Sequence, residues 1–275
     1  MPASVWLGGG TGWPGHAEVQ NVNMRQIILV TGGTGTLGRV LVAKLRAAGQ
    51  SVRILSRHAG PDTAVADLAA GTGLDAAVAG VTTIIHCATD GRTDAAASEN
   101  LIAAARRAGV THFIYISIVG VDRHPLSYYR TKFRVEKLVE ASAIPWTILR
   151  ATQFHNLVVG LFRAQRWLPV LFAPAFSIQP ISVGDVATRL TELAQGDPVG
   201  RAQDIGGPEV LTCRQLAAAY LDRSGSRRRI LPLRLPGTTF AAFAAGYHLA
   251  PQHRYGTGTF AQFLAETVTP GRQRG

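Results

Sequence analysis

The sequence predicts an α/β fold: a doubly wound, mostly parallel sheet followed by a small, mainly helical C-terminal lobe. Three observations carry this. Short β-branched and apolar runs, beginning with "IILVT" at 27–31, alternate with segments of helical period as far as residue 150. The first run is apolar almost throughout rather than at every second residue, as befits a strand buried on both faces. A glycine cluster, "GGTGTLG" at 32–38, stands between the first strand and the first helix.

The elements follow in order. After the glycines, Leu37, Val40, Leu41, Lys44 and Leu45 recur at helical spacing, and Gly49 is a natural stop. "SVRILSRH" (51–58) is the second strand, and "AVADL" (64–68) a short third whose Asp67 can reach toward a bound ring system. A helix over 74–80 leads to a strand over 81–89 ending in small residues, Ala88 among them, where a backbone can pass close to a ligand. A helix is expected over 97–110, a strand over 112–117, a helix over 128–142 and a strand over 146–150. Strands separated by helices of this length pair in parallel through right-handed crossovers. Beyond Arg150 the regularity loosens. Helices are expected at 183–196, with Asp185 in the first turn, and at 211–225; a late strand at 203–207 and two short helices within 237–267 complete the chain. The expected division is a disordered extension over 1–23 and one domain over 24–275, with its sheet core at 24–150 and the remaining elements and lobe at 151–275.

A second glycine pattern, "GTGWPG" at 10–15, satisfies the same G-x-G-x-x-G spacing. It lacks the context that gives the pattern meaning. "ASVWL" is short, Pro14 removes a backbone donor from the turn, and "HAEVQNVN" has no amphipathic period. With Met24 three residues before the first strand, residues 1–23 read as an extension and not as a phosphate loop. The patch has neither the basic start nor the apolar centre of a signal peptide.

Composition narrows the function classes. The two cysteines, Cys87 and Cys213, form no cluster, which excludes a disulfide framework and a zinc site and fits a reducing cytoplasm. No apolar run approaches a membrane span, so no membrane partner is expected. The net charge is +11, from 25 arginines and only 3 lysines, Lys44, Lys132 and Lys137. The arginines are scattered apart from "RSGSRRRILPLR" at 223–234, which reads as a solvated loop, with a phosphate or RNA site as the alternative. A small-molecule partner is expected ahead of nucleic acid.

The glycine loop and its helix form an anion cradle: backbone N–H groups and the positive end of the helix dipole face a pyrophosphate. The triplet is either Gly33, Gly35 and Gly38 or Gly32, Gly35 and Gly38. Candidate cofactor contacts are Gly32, Thr34, Gly35, Thr36, Leu37 and Gly38, with Asp67 and Ala88 further along. A dinucleotide site selective for NAD carries an acid at the end of the second strand, to hold the ribose diol. Here that strand ends in Ser56, Arg57 and His58. Arg57 suits a 2′-phosphate, which favours NADP(H) over NAD(H).

Tyr128 and Lys132 stand four residues apart on the helix after the fifth strand, which puts both on one face. Ser117 ends that strand. A tyrosine hydroxyl titrates near 10, and a neighbouring ammonium would bring it toward working pH as a proton carrier. Tyr129 is the weaker candidate because its i+4 partner is Phe133. Gln153 and His155 are expected near the reacting centre, with core or surface roles as the alternative, His86 in the core, and Phe154, Phe162, Trp167 and Phe172 around an apolar pocket or packed within the lobe.

"VTGGTGTLG", "ISIVGVDR", "YYRTKFRVEKLV" and "TILRATQFHN" resemble the short-chain dehydrogenase/reductase superfamily, and within it the atypical NmrA-like branch, over residues 25–205. The resemblance implies a Rossmann fold, a dinucleotide held by Gly32, Gly35, Gly38 and Arg57, and a catalytic trio of Ser117, Tyr128 and Lys132, the lysine also touching cofactor. It implies an NAD(P)H-dependent reductase of a small apolar carbonyl, quinone or enone. The alternative within the branch is a redox sensor that binds the dinucleotide and catalyses nothing. No asparagine is assigned to the superfamily's fourth catalytic position, Asn100 being the nearest candidate.

Overall fold

The computed structural model describes residues 26–269; the extension and the "GTGWPG" pattern lie outside them. Seven strands build the central sheet, in the order β3-β2-β1-β4-β5-β6-β9, and every pairing is parallel. They are β1 (Ile27–Thr31), β2 (Ser51–Ser56), β3 (Thr63–Val65), β4 (Val81–His86), β5 (His112–Ile118), β6 (Trp146–Ala151) and β9 (Gly200–Arg201). The helices between them are α1 (Thr36–Ala47), α2 (Leu74–Val78), α3 (Asp94–Arg107), α4 (Ser127–Glu140) and, later, α6 (Val183–Gln195).

The central strands β1, β4, β5 and β6 are buried on both sides, whereas β2 and β3 at the edge are only partly buried. Along β1, Ile28 and Val30 pack into one hydrophobic cluster with α1 and α6, while Leu29 points into the other with α2 and α3. Along β5, Ile114 and Ile116 join the first cluster, Phe113 and Tyr115 the second. The order of winding reverses between β1 and β4, so the loops that follow these two strands diverge and leave a crevice at their carboxyl ends.

Two expected strands end early or shrink. The third stops at Val65, and Asp67 instead closes a small turn, its Oδ1 accepting from the N–H groups of Ala69 and Ala70. The late strand expected over 203–207 is reduced to isolated bridges at Ile205 and Gly206, and the sheet takes instead the two-residue β9 just before it. The third helix starts three residues earlier than its apolar period suggests, because Asp94 opens it.

The lobe contains α5 (His155–Ala164), α7 (Cys213–Ser224), α8 (Thr238–Ala244) and α9 (Phe260–Thr267). Capping boxes start α7 (Thr212 with Gln215) and α9 (Thr259 with Gln262). It also holds two small sheets: β8 (Ser177–Ile178) antiparallel to β10 (Leu211–Thr212), and β7 (Val170–Pro174) parallel to β11 (Arg229–Leu233). The arginine run is thus not a loop throughout; its second half is the β11 edge strand, and Arg228 donates to the Gln165 carbonyl at 2.7 Å. One buried side chain joins distant parts of the lobe. Gln179 donates to the carbonyls of Gly207 and Ala250 and accepts from the Ala250 N–H.

Candidate active site

The glycine loop closes tightly. Gly32 has φ of +66°, and a Cβ there would lie 2.8 Å from the Ala88 nitrogen, so the loops after β1 and β4 touch backbone to backbone. A Cβ on Gly38 would lie 2.1 Å from the Gly32 carbonyl oxygen, which is how α1 comes so close to the strand it follows. Gly33 is turned inward against Ile54, whereas Gly32, Gly35 and Gly38 border the cleft. At the start of α1 no side chain caps the helix, and its first turn carries no acid. Thr34, Gly35 and Thr36 are exposed at this end of the helix.

Under this loop runs a chain of polar groups that also explains His86. Ser98 spends its hydroxyl proton on the Asp94 carbonyl, so it accepts from His86 Nε2–H at 3.0 Å. His86 Nδ1 must then accept from the Thr31 hydroxyl at 2.7 Å, and Thr31 in turn accepts from the N–H groups of Cys87 and Ala88. Burial, with a contribution from Lys132, lowers the imidazole pKa to about 3, and the ring stays neutral. His86 is a core residue, as expected. The neighbouring Cys87 thiol is pushed up to about 12 by burial and is no nucleophile.

Across the crevice stand Ser117 at the end of β5 and Tyr128 and Lys132 on α4. The Ser117 hydroxyl is buried without a hydrogen-bond partner. Lys132 is 4% exposed, with one long bond to the Ile116 carbonyl (3.4 Å) and the Tyr115 ring 4.9 Å away. Burial lowers its pKa, against the pull of Asp94, Cys87 and Glu136. Tyr128 is half-buried, and its hydroxyl is 3.4 Å from Thr89 Oγ1, which donates to Asp94 Oδ2 at 2.5 Å. Its pKa is raised, first by burial and then by Asp94, while the Thr89 bond opposes. The downward shift expected from the lysine is therefore not what the structure has: the hydroxyl holds its proton. Tyr129 is tied up elsewhere, accepting from Gln153 Nε2 at 2.9 Å beside the His124 ring.

A bidentate pair fixes α4 on the sheet. Arg150 of β6 donates to both oxygens of the buried Glu136, at 2.7 and 2.6 Å, and to Asp122 at 2.9 Å. This sets the height at which Tyr128 and Lys132 meet the carboxyl end of β5.

The glycine loop, Ala88, Thr89, Asp94, Ser117, Tyr128 and Lys132 border one cleft of about 1020 Å³. It runs from Arg57 and Asp67, past the glycine loop and Ala88, to the trio, and on to Phe154, Leu157, Phe176, Ile178 and Phe243 in the lobe. Every cofactor and catalytic candidate from the sequence borders it. The pocket-lining candidates fare less well. Gln153 and Phe154 reach the cleft. His155 does not: it is buried, contacts Phe260 and Phe263, and approaches the Pro180 carbonyl at 3.1 Å. Phe162 packs on Tyr220, Trp167 is 81% exposed, and Phe172 belongs to β7. Asn100 anchors the turn beyond Asp67 by donating to the Leu68 carbonyl, outside the cleft. Thr89, Asp94, Phe243 and His248 went unread; a "TDGRTD" run before a helix was the available signal for the first two.

A sequence profile described as NAD(P)H-binding matches residues 32–195, more than half of the chain. The chain belongs to the NAD(P)H-binding family. Membership accords with the resemblance to the atypical, NmrA-like short-chain reductases. A relative in Streptomyces griseus subsp. griseus, a (4-alkanoyl-5-oxo-2,5-dihydrofuran-3-yl)methyl phosphate reductase, is 31% identical over 207 residues, 70% of this chain and 72% of that protein. An NAD(P)H azoreductase of Xenophilus azovorans is 27% identical, over 76% of this chain and 78% of that one. The Escherichia coli NADPH-dependent quinone oxidoreductase in complex with NADPH superposes with a TM-score of 0.73 at 20% identity, over 87% of this chain and 99% of that one. That last likeness speaks for the fold alone.

An NAD(P)H-binding chain needs an anion cradle, donors for ribose and room for a nicotinamide. The residues present fit. The glycine positions have no space for a Cβ, the α1 N-terminus is uncapped, and the buried ammonium of Lys132 and hydroxyl of Ser117 lack full sets of partners. Among the described residues no group of carboxylates, histidines and cysteines is arranged to hold a metal.

Proposed function

We propose that the protein is an NADPH-dependent reductase of a small, uncharged, apolar carbonyl, quinone or enone. The observation that carries this is the single cleft joining the dinucleotide cradle, the Ser117–Tyr128–Lys132 trio and an apolar lobe wall. When bound, the nicotinamide supplies a hydride. Ser117 donates its unpartnered O–H to the substrate oxygen and holds it in place. Tyr128, kept protonated at neutral pH, gives a proton to that oxygen; a raised pKa suits an acid in the reducing direction. Lys132 donates to ribose hydroxyls and stabilises the phenolate left on Tyr128. Solvent at the rim, where Thr89 is exposed beside the Tyr128 hydroxyl, returns the proton to it.

Arg57 supports NADPH over NADH. It is exposed at the end of β2, borders the cleft and, among the described residues, has no acidic partner. Among the described residues the lobe end of the cleft carries no charged side chain, His248 being held neutral by burial, so they supply no cation for a phosphorylated substrate there. The family's named reductases support redox chemistry in general. We assign a reducing, cytoplasmic setting from two thiols that are both free among the described residues.

The test is NADPH oxidation against a panel of quinones, enones and aldehydes, with wild type and Tyr128→Phe. The substitution keeps ring volume and should leave NADPH affinity unchanged while turnover falls about a hundredfold or more, the worth of a positioned acid. Tight NADPH binding with no turnover on any member of the panel would replace the reductase by the non-catalytic sensor.

A further inference from the structure

Residues 151–184 and 223–265 together contain eight arginines and not one aspartate or glutamate. These segments supply α5, β7, β11, α8 and most of α9. Among the described residues none of the eight arginines forms an ion pair. Arg227, Arg229 and Arg234 stand exposed along the β11 edge, and Arg166 lies 4.9 Å over the Trp167 ring.

The same segments hold seven of the nine large apolar side chains that are exposed among the described residues. Leu157 and Leu161 lie one turn apart on the outer face of α5, each 53% exposed. Trp167 and Leu168 follow in the turn at 81% and 42%, and Leu231 and Leu235 stand on and beyond β11 at 40% and 47%. Hydrogen bonds stitch these pieces together: Gln165 reaches the Leu161 and Phe172 carbonyls, and Arg228 reaches the Gln165 carbonyl. Leu157 and Leu161 also border the cleft.

We propose that this face of the lobe docks on an anionic phospholipid bilayer, with the cleft mouth turned toward it. Among the described residues no helix is long and apolar enough to cross a membrane, so the contact is superficial. Interleaved leucines, a tryptophan and unpaired arginines suit the headgroup boundary, where apolar side chains enter the acyl region and guanidinium groups meet phosphates. A nucleic acid would use the arginines and leave the leucines in water. An acidic protein groove is the other rival. Docking in this orientation would let an apolar substrate pass from lipid into the cleft, although the docking itself does not depend on the redox assignment.

The experiment is co-sedimentation of the full chain with vesicles of phosphatidylcholine, alone or mixed with phosphatidylglycerol. Binding should be confined to the mixed vesicles and weaken with salt. Arg229→Glu and Arg234→Glu should each reduce partitioning about fivefold or more. Trp167→Ser should reduce it without lowering the melting temperature, since the ring is exposed. A blue shift of fluorescence on binding should vanish in Trp167→Phe. Equal binding to both vesicles, no binding, or indifference to Trp167→Ser would overturn the proposal. So would arginine-dependent binding to RNA or polyglutamate by a protein that ignores the vesicles.

Discussion

Gly38→Ala tests the tightest contact in the cofactor cradle. The added Cβ would face the Gly32 carbonyl oxygen at 2.1 Å and the Gly33 Cα at 2.6 Å, against about 3.4 Å for ordinary contact. Both neighbours are backbone, so neither can swing aside; α1 must back away from the loop. Moving it strains Leu37, Leu41 and Leu45, which are buried against the sheet. Overpacking of this kind costs about 1–3 kcal/mol, and alanine's better helix propensity returns up to about 1 kcal/mol. The net loss should lower the melting temperature by roughly 2–8 °C in a chain of this size. Displacing the helix start also spoils the aim of the loop N–H groups, so NADPH should bind about tenfold more weakly or worse. Thermal scans with and without NADPH, and calorimetric titration, read both numbers. Gly160→Ala is the control. It sits mid-helix in α5 with nothing within 4 Å, and should stabilise by about 0.5–1 kcal/mol. If Gly38→Ala matched the control in stability and NADPH affinity, the close approach of helix to loop would be irrelevant to both, and the cradle argument would fail.

Arg57→Ala should weaken NADPH about tenfold or more and leave NADH unchanged; equal losses for both nucleotides would remove the 2′-phosphate assignment. Glu136→Ala strands the Arg150 guanidinium in the interior and should cost about 3–5 kcal/mol, while a Glu136→Leu, Arg150→Met pair should recover most of it in denaturant titrations. Burial holds His86 at about 3 and His155 and His248 at about 4, below the 6.5 of an exposed imidazole. The unfolded chain therefore takes up protons first as pH falls. The stability these rings contribute is intact above pH 6.5 and is lost between there and pH 3–4, at up to about 1.4 kcal/mol per pH unit for each ring. His86→Gln should flatten the fall in melting temperature between pH 6.5 and 4.5, and a wild-type curve already flat there would contradict the burial argument.

The sheet was legible because its strands are written locally. A short β-branched and apolar run, a helical period and a glycine stop name most units without reference to any other. The dinucleotide loop and the Tyr128–Lys132 spacing are local in the same way. The lobe is not. β7 and β11 pair across almost sixty residues, β11 carries Pro232 at an edge where its missing N–H does no harm, and neither strand has a period of its own. Gly33 and Gly32 cannot be told apart by spacing, since the choice rests on a contact with Ile54. His155 and Gln153 are two residues apart at the end of β6, and only the turn into α5 sends one to the core and the other to the cleft. The upward shift on Tyr128 was unreadable for a related reason: it comes first from burial in the assembled cleft and then from Asp94 on another helix.

Gln179 has a consequence for the order in which the molecule is completed. Its amide clasps Ala250 from both sides, and next to it His248 approaches the Ser177 carbonyl at 2.8 Å; both links span 71 residues. Phe243 and His248 are thereby hung on Phe176 and Ile178, which form the opposite part of the cleft's far wall. The nucleotide end needs α6 to cover β1 and α1 but nothing after it, whereas the far wall waits on the final stretch of chain. A nascent protein would thus meet dinucleotide well before it could enclose a substrate. Hydrogen exchange should find the Ala250 amide opening more readily than those of β1 and β4.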